Sequence, residues 1–523
     1  MKRRISLALA CILVFTMLLG GCGAKTDKAD NNKNQANGNG TAADSQTDSA
    51  KNMDSDSVLK DGKMTELTVV FPSSNASPAQ LSEVEAAMNT IIQKTVDAKV
   101  KLQIIEWGAY QDQINLMLSS GEKMDMFFAI SNLKDMANKG QLVPITDLVD
   151  KYAKKAKDIM SRYLDACYFN SDLYGFPTYR DLANQGGLVC RQDILKETDM
   201  KAENIKSWDD LETLLKKVKE LHPDMYPLIP ADVTRGCLAS YNKGVFDIVQ
   251  SGVGAYINDT DGQVNIINTY DTKEYLELAE KAYEWNEKGY FMPDSTTTTA
   301  VRQDLIRSDK GFGYIGNVHP GTVTQETMNS GKEMVAIPLT ARTLTTAGVN
   351  FCQWVLPIQC ESPEKTLAIL NMLYTDPDMQ NLFRYGIEGK DYVVKDAAKG
   401  IAGYPDGVDS KSAGWSNEMW MTGNASIGYA WETDPEDVWN KYATYNDDAV
   451  LSPLYGFVYD SSNVKTEISA ISNVTDKYTA IIEAGLTDPE STVKKLNDEL
   501  KGAGIQNIID DMQKQADEWS KTK

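Results

Sequence analysis

Histidine is almost absent from this sequence: His222 and His319 are the two in 523 residues, and each precedes a proline. So few imidazoles exclude most His-built zinc sites and His-dependent catalytic clusters. No G-x-S-x-G elbow and no H-E-x-x-H pair occurs either. Basic residues are short as well, 53 Lys and Arg against 74 Asp and Glu, for a net charge of −21. Such a chain lacks the basic face that nucleic acid or an anionic lipid surface requires. Cysteine is sparse, seven in all, with no C-x-x-C spacing. Once Cys11 and Cys22 are set aside, Cys167, Cys190, Cys237, Cys352 and Cys360 remain, odd in number and widely spaced. That pattern is neither a disulfide framework nor a zinc site and reads as buried free thiols. Together these absences lean away from an enzyme, a resident metal and a cofactor.

What is present is ordinary globular composition, 42% hydrophobic, 9% aromatic and 24% charged, enough to bury a sizeable core. The length suggests two to four domains. Lys2, Arg3 and Arg4 precede an apolar run over residues 5–19 that ends in Leu19-Gly20-Gly21-Cys22. A short basic region and an apolar stretch of this length read as a secretory signal peptide, residues 1–21. Small residues just before a cysteine resemble the bacterial lipobox, in which the cysteine is acylated and becomes residue one. Cys22 is therefore the expected lipidation site, a palmitate-type acyl anchor. Loss of residues 1–21 removes three basic and no acidic groups, leaving 50 against 74 and a charge of −24. The expected membrane contact is thus the lipid alone, on the extracellular face of a cell of Gram-positive type. Residues 22–63 contain no Phe, Trp or Tyr and are dense in Asn, Asp, Lys, Ser and Gly. A segment so poor in apolar surface predicts a flexible tether with a reach of about 35 Å.

Beyond it, apolar runs at Thr65–Phe71, Val100–Trp107 and Met124–Ile130 alternate with helical spacing at Pro78–Thr95 and Gln111–Leu118. That alternation predicts an α/β layer with a parallel sheet. Gly, Pro and aromatics at Tyr174–Asp181 read as a crossover. A second α/β unit opens at Gly187–Arg191, and Ser207 with Asp210 makes a capping-box start for a helix over Trp208–Leu221. Asn258–Gly262 is too poor a match for a calcium loop, because Ile257 and Asn268 fall on ligand positions; Asp261-Gly262 predicts a hairpin turn. Gly311-Phe-Gly-Tyr-Ile-Gly316 fits G-x-G-x-x-G literally but starts a strand instead of ending one, which excludes a nucleotide cradle. Ser362-Pro363 begins a helix, and Ile505 to Trp519 carries an apolar stripe expected to pack on the body.

Five motifs in order carry a resemblance: Gly121-Glu-Lys-Met-Asp125, Gly140-x-Leu-x-Pro144, Tyr174-Gly-Phe-Pro177, Ser207-Trp-Asp-Asp-Leu211 and Ser362-Pro-Glu-Lys365. With them, residues 64–523 resemble the family 1 extracellular solute-binding proteins of ABC importers, the group that includes maltose-binding protein. Tyr385-Gly-Ile-Glu-Gly-Lys-Asp-Tyr392 and the end from Gly456 resemble the LipO-type lipoprotein subgroup. The resemblance implies an α/β, two-lobed periplasmic-binding-protein-like fold, with several crossover strands and a cleft that closes on ligand. It implies an N-terminal lobe built from 64–180 and 341–392, and a C-terminal lobe from 181–340 and 393–523, the last including a helical C-terminal region. It also implies a monomeric, non-catalytic binding component, with a small-molecule ligand, preferably an oligosaccharide, and ABC importer permease subunits as partners. A peptide or other small polar solute is the alternative ligand, and a surface glycan-processing enzyme the alternative class.

A sugar offers hydroxyl edges and apolar ring faces, so its site combines flat aromatics with planar hydrogen-bonding groups. Nine Trp and 24 Tyr against 12 Phe suit that requirement. The candidate ligand contacts at strand ends and crossovers are Trp107 and Tyr110; Ser131 and Asn132; Tyr179, Arg180 and Asp181; and Asn317 and His319. Trp415, Trp420 and Asn424 come from a Gly/Trp-rich loop without helical or strand period. Trp208, at a helix start, is expected in the core.

Overall fold

The chain is described here by a computed structural model, over residues 59–522 apart from Asn132, residues 259–263 and Lys411. The expected signal peptide, Cys22, nearly all of the tether, Asn132 and the Asp261-Gly262 turn lie outside the described residues. Thr65–Ser73 (β1) buries Leu67, Val69, Val70 and Phe71 on both faces, the continuous apolar run of a central parallel strand. Leu81–Ile92 (α1) leads to Ala98–Glu106 (β2), which pairs parallel with β1 from Thr65–Ala98 to Ser73–Glu106. Trp107–Ser120 (α2) begins where β2 ends, and Met126–Ile130 (β3) takes the other side of β1. Leu133–Asn138 (α3) and the crossover strand Gly175–Pro177 (β4) follow.

The second lobe starts at Gly186–Arg191 (β5). Trp208–Leu221 (α4) carries the expected capping box: the Asp210 amide donates to the Ser207 hydroxyl at 3.1 Å, and the Ser207 amide donates to the Asp210 carboxylate. Tyr226–Leu228 (β6) is followed by a small meander, Phe246–Gln250 (β7), Val253–Tyr256 (β8) and Ile267–Asn268 (β9), and by Lys273–Glu287 (α5). Gly311–Asn317 (β10), Thr322–Ser330 (α6) and Met334–Pro338 (β11) complete the lobe's sheet. The chain returns with Cys352–Val355 (β12), Pro363–Thr375 (α7) and Pro377–Tyr385 (α8). A small sheet of Val393–Asp396 (β13), Ile401–Gly403 (β14) and Ala430–Trp431 (β15) precedes Val438–Asp447 (α9). Lys465–Glu483 (α10), Pro489–Gly502 (α11) and Ile505–Ser520 (α12) end the described chain.

The first sheet has the order β2-β1-β3-β12-β4 and the second β11-β5-β10-β6. Neither is the wholly parallel sheet that the strand–helix alternation predicts. β12 runs antiparallel to β3 and β4, and β5 antiparallel to β10 and β11. The physical reason is that a strand arriving from the other lobe enters its sheet from the opposite end. Three crossing segments lie side by side: Asn184 and Thr343 exchange backbone bonds of 2.8 and 2.9 Å, and Thr343–Leu344 pairs parallel with Val450–Leu451.

Each lobe has its own core. Phe71, Phe128, Trp354 and Phe383 meet edge to face in the first, with Phe71–Phe383 centroids 5.2 Å and Phe128–Trp354 centroids 5.1 Å apart. Leu211, Leu214, Leu215 and Val218 of α4 pack with Trp285 and Phe312 in the second. A third core seats Ile508, Met512 and Ala516 of α12 with α10 and α11 on the β7–β9 meander, as the C-terminal stripe predicts. Within 393–523, Trp415 and Met421 belong to the first core.

Candidate ligand-binding cleft

A cleft of about 1050 Å³ opens between the lobes. Ser73, Ser74 and Asn75 line it from the end of β1, Phe351 and Cys352 from the start of β12, and His319, Thr324 and Met328 from β10 and α6. The loop 415–420 and the segment from Trp431 to Tyr442 close the remaining wall. The side chain of Thr324 donates to the Thr433 carbonyl at 2.9 Å, which ties α6 to that segment. Gly321 leaves room there for Tyr442, since a Cβ at this position would lie 2.9 Å from the Tyr442 hydroxyl and the ring would have to shift.

Of the twelve candidate contacts, five line the cleft: Arg180, Asp181, His319, Trp415 and Trp420. Arg180 donates to the carbonyls of Asp181 and Gly348 at 2.8 and 3.0 Å. The Asp181 carboxylate lies 3.7 Å from Arg180 and 3.6 Å from His319 Nδ1, so the crossover brings a cation, an anion and an imidazole to one point. Trp420 is half-buried, its ring 5.5 Å from Trp107 and 5.7 Å from Phe128. Trp415 is only 2% exposed and its Nε1 donates to the Phe383 carbonyl at 3.0 Å, so it floors the cleft mainly as a core residue.

The other candidates fall elsewhere. Trp107 and Tyr110 sit in the first turn of α2, not in a loop beyond β2. Tyr110 points into the core and its hydroxyl donates to the Phe128 carbonyl at 2.7 Å. Trp107 backs Trp420 from behind. Tyr179 stacks edge to face on Tyr163, and burial pushes its hydroxyl up to about 12. Asn317 turns inward to accept from the Gln185 amide at 3.1 Å. Asn424 is buried, bonding Ser426 and the Tyr374 carbonyl. Ser131 is exposed at φ 60° and outside the cleft lining. Trp208 is partly buried on the second core, stacked on Tyr241 at 4.2 Å.

Sequence reasoning misses most of the aromatic wall: Phe351, Tyr404, Trp431, Trp439 and Tyr442. Trp439 and Tyr442 are i, i+3 on α9 and share one helix face. Trp431 stacks on Tyr385 at 5.1 Å and meets Tyr404 edge to face at 4.7 Å. Arg384 and Glu418 are also missed. Arg384 lies 4.5 Å over the Tyr385 ring and 5.5 Å over Trp439, so cation–π contact holds its guanidinium in place. Burial raises the Glu418 carboxyl above its ordinary 4.5, against the opposing pull of Arg384. Glu418 stands inside the singled-out WSNEMWMTGN stretch, and Arg384 adjoins the Tyr385–Tyr392 stretch; the residue types were visible, but not their convergence.

Comparison with known proteins adds a context to this geometry. Residues 75–380 match the family described as bacterial extracellular solute-binding protein, and residues 453–521 match a domain of unknown function, DUF3502. A carbohydrate ABC transporter substrate-binding protein of Streptococcus pneumoniae is 28% identical over 460 residues, covering 85% of this chain and 89% of its own. The crystal structure of the N-glycan transport solute binding protein NgtS from Streptococcus pneumoniae superposes with a TM-score of 0.77 at 25% identity, covering 87% of this chain and 99% of that one. NgtS in complex with Man5GlcNAc superposes with a TM-score of 0.66, also at 25% identity, covering 88% and 99%.

Proposed function

Because this chain belongs to the bacterial extracellular solute-binding protein family, we propose that it captures an oligosaccharide outside the cytoplasm and delivers it to the permease of an ABC importer. The observation that carries this reading is a two-sided cleft in which Trp420, Trp431, Trp439, Tyr404 and Tyr442 stand beside Arg180, Asp181, Arg384 and Glu418. Aromatic rings meet sugar faces and the planar polar groups meet hydroxyl edges. The volume suits several rings rather than one. Closure of the lobes on the ligand is the signal that the permease reads.

The protein acts as a monomeric carrier without catalysis, anchored through an acylated Cys22 after loss of residues 1–21. Support for the anchor is the Leu19-Gly20-Gly21-Cys22 order and the aromatic-free stretch behind it. No helix among the described residues is long and apolar enough to cross a membrane. Two experiments test the reading. Titration calorimetry against a glycan array should find a tight oligosaccharide ligand that is recovered unchanged after overnight incubation; products of cleavage would overturn the non-catalytic role. Cys22→Ser should move the protein out of the membrane fraction and abolish lipid labelling, and persistent labelling would sink the anchor.

A further inference from the structure

Asp391 is 2% exposed, and no ion pair reaches it among the described residues; the adjoining Lys390 pairs with Glu83 of α1 instead. Its Oδ2 accepts from the Ile387 amide at 2.8 Å, and its Oδ1 is buried without a partner. Burial raises this carboxyl above its ordinary 3.8, and the amides of Ile387, Gly414 and Trp415 oppose the rise. A carboxylate buried without a cation opposes folding, so its retention calls for a compensating role. Convergence of several backbone amides supplies one. A carboxylate accepts through both oxygens, whereas an Asn in its place would accept on one side only and present a donor on the other.

Geometry ties this carboxylate to the cleft. Asp391 closes the turn that follows α8, its own amide donating to the Ile387 carbonyl at 2.9 Å. A Cβ at Gly386 would lie 2.5 Å from Asp391 Oδ2 and 2.8 Å from Trp415 Cβ, so this turn and the loop beginning at Gly414 meet at one point. Residues 415–420 of that loop line the cleft. Its start is also held where the Gln80 amide donates to the Gly414 carbonyl at 3.1 Å, and its end where the Thr178 hydroxyl donates to the Trp420 carbonyl at 2.7 Å. Asp391 itself does not line the cleft, so it can act on a ligand through the loop and not by contact.

We propose that Asp391 is a positioning residue for the cleft: its carboxylate seats the amides of Gly414 and Trp415, fixes the start of the 414–420 loop and thereby aims Trp420 at the ligand. The role of Trp420 at the ligand rests on the oligosaccharide reading above; the seating of the loop stands apart from it.

Hydrogen exchange and titration calorimetry on the whole chain provide the test, with Man5GlcNAc and maltotetraose as probes. The proteins are wild type, Asp391→Ala, Trp420→Ala and the double variant. Asp391→Ala is expected to speed exchange over 414–420 by about ten-fold or more and to lose about ten-fold of the affinity, while exchange in α4 and α5 of the second lobe stays unchanged. The double variant is expected to bind within about three-fold of Trp420→Ala alone, because both substitutions remove the same platform. A loss of stability unrelated to the platform would instead multiply with that of Trp420→Ala, and such multiplication overturns action through Trp420. Unchanged exchange over 414–420 overturns the seating of the loop. Should Asp391→Ala fail to fold, Asp391→Asn keeps one acceptor oxygen and takes its place, with the same directions expected. Wild type binding neither probe overturns the oligosaccharide reading, and exchange then decides the role of Asp391 by itself.

Discussion

Trp415 and Trp420 stand five positions apart in one loop, yet the fold gives them different work. Trp415 is enclosed by the first core and hydrogen-bonded through Nε1, whereas Trp420 rests one part of its ring on Trp107 and Phe128 and turns the rest to the cleft. Gly423, at φ 81°, lets the loop return close to α7: a Cβ there would stand 2.7 Å from the Leu373 carbonyl. The two substitutions should separate cleanly. Trp415→Ala should cost roughly 3–5 kcal/mol of stability, as loss of a core aromatic does. Trp420→Ala should cost on the order of 1–3 kcal/mol of ligand binding, by analogy with aromatic stacking on bases, with a smaller fall in stability because the ring is only half-buried. Calorimetry and a melt on both variants decide it. Equal stability losses with affinity intact in Trp420→Ala would assign both rings to packing. Sequence spacing shows that neither ring follows a helical or strand period, but which ring is covered depends on α8 and β3, far away in the chain.

At the scale of elements, α9 braces a crossover and α10 is held to the second lobe. Asn446 in the last turn of α9 is fully buried; its side chain accepts from the amides of Leu182 and Ala183 at 2.8 and 3.2 Å and donates to the Arg180 carbonyl at 2.6 Å. One amide thus fixes the crossover that carries Arg180 and Asp181. Asn446→Ala leaves three buried backbone groups without partners and should cost roughly 2–4 kcal/mol in urea unfolding, with ligand affinity falling too; unchanged affinity in the folded fraction would separate the crossover from the site. Glu483 at the end of α10 is buried against Arg235, with Oε1 accepting at 3.0 Å and Oε2 without a partner. Burial pushes this carboxyl up to about 7. Between its ordinary 4.5 and about 7 the folded state keeps a proton that the unfolded chain has released. That contribution is full below the lower value and fades as pH rises through the window, by up to about 3 kcal/mol. Glu483→Gln should therefore be more stable than wild type at pH 8, with the difference closing toward pH 5. A difference that does not change with pH would show that Glu483 titrates normally.

The whole molecule is two sheet-centred lobes, a helical C-terminal body and three adjacent crossing segments. A ligand that bridges lobes across an open cleft draws them together, so the radius of gyration should fall on binding, at constant monomer mass. Small-angle scattering with Man5GlcNAc or whichever oligosaccharide calorimetry selects provides the check. A constant radius with bound ligand would mean that the permease reads something other than closure.

Local chemistry was legible from the residues alone. The Ser207–Asp210 cap, the strand character of Gly311–Asn317, the α12 stripe and the five ordered motifs each depend on neighbours a few positions away. Arg180, Asp181 and His319 were also within reach, because crossovers and strand ends in two-lobed proteins face the cleft. The rest depended on tertiary structure. Tyr110 is a core residue because α2 starts at Trp107 and turns it inward onto β3, which a pattern of apolar residues does not report. Arg384 and Glu418 are thirty-four residues apart and line one cleft because Asn417 and Trp415 bond the end of α8. Trp431, Trp439 and Tyr442 become a wall only once α9 lies against the end of β10, where Tyr445 donates to the Val318 carbonyl at 2.7 Å. Periodicity records which face of an element is apolar; what finally covers that face, or leaves it open to a ligand, is decided by segments that the sequence keeps far apart.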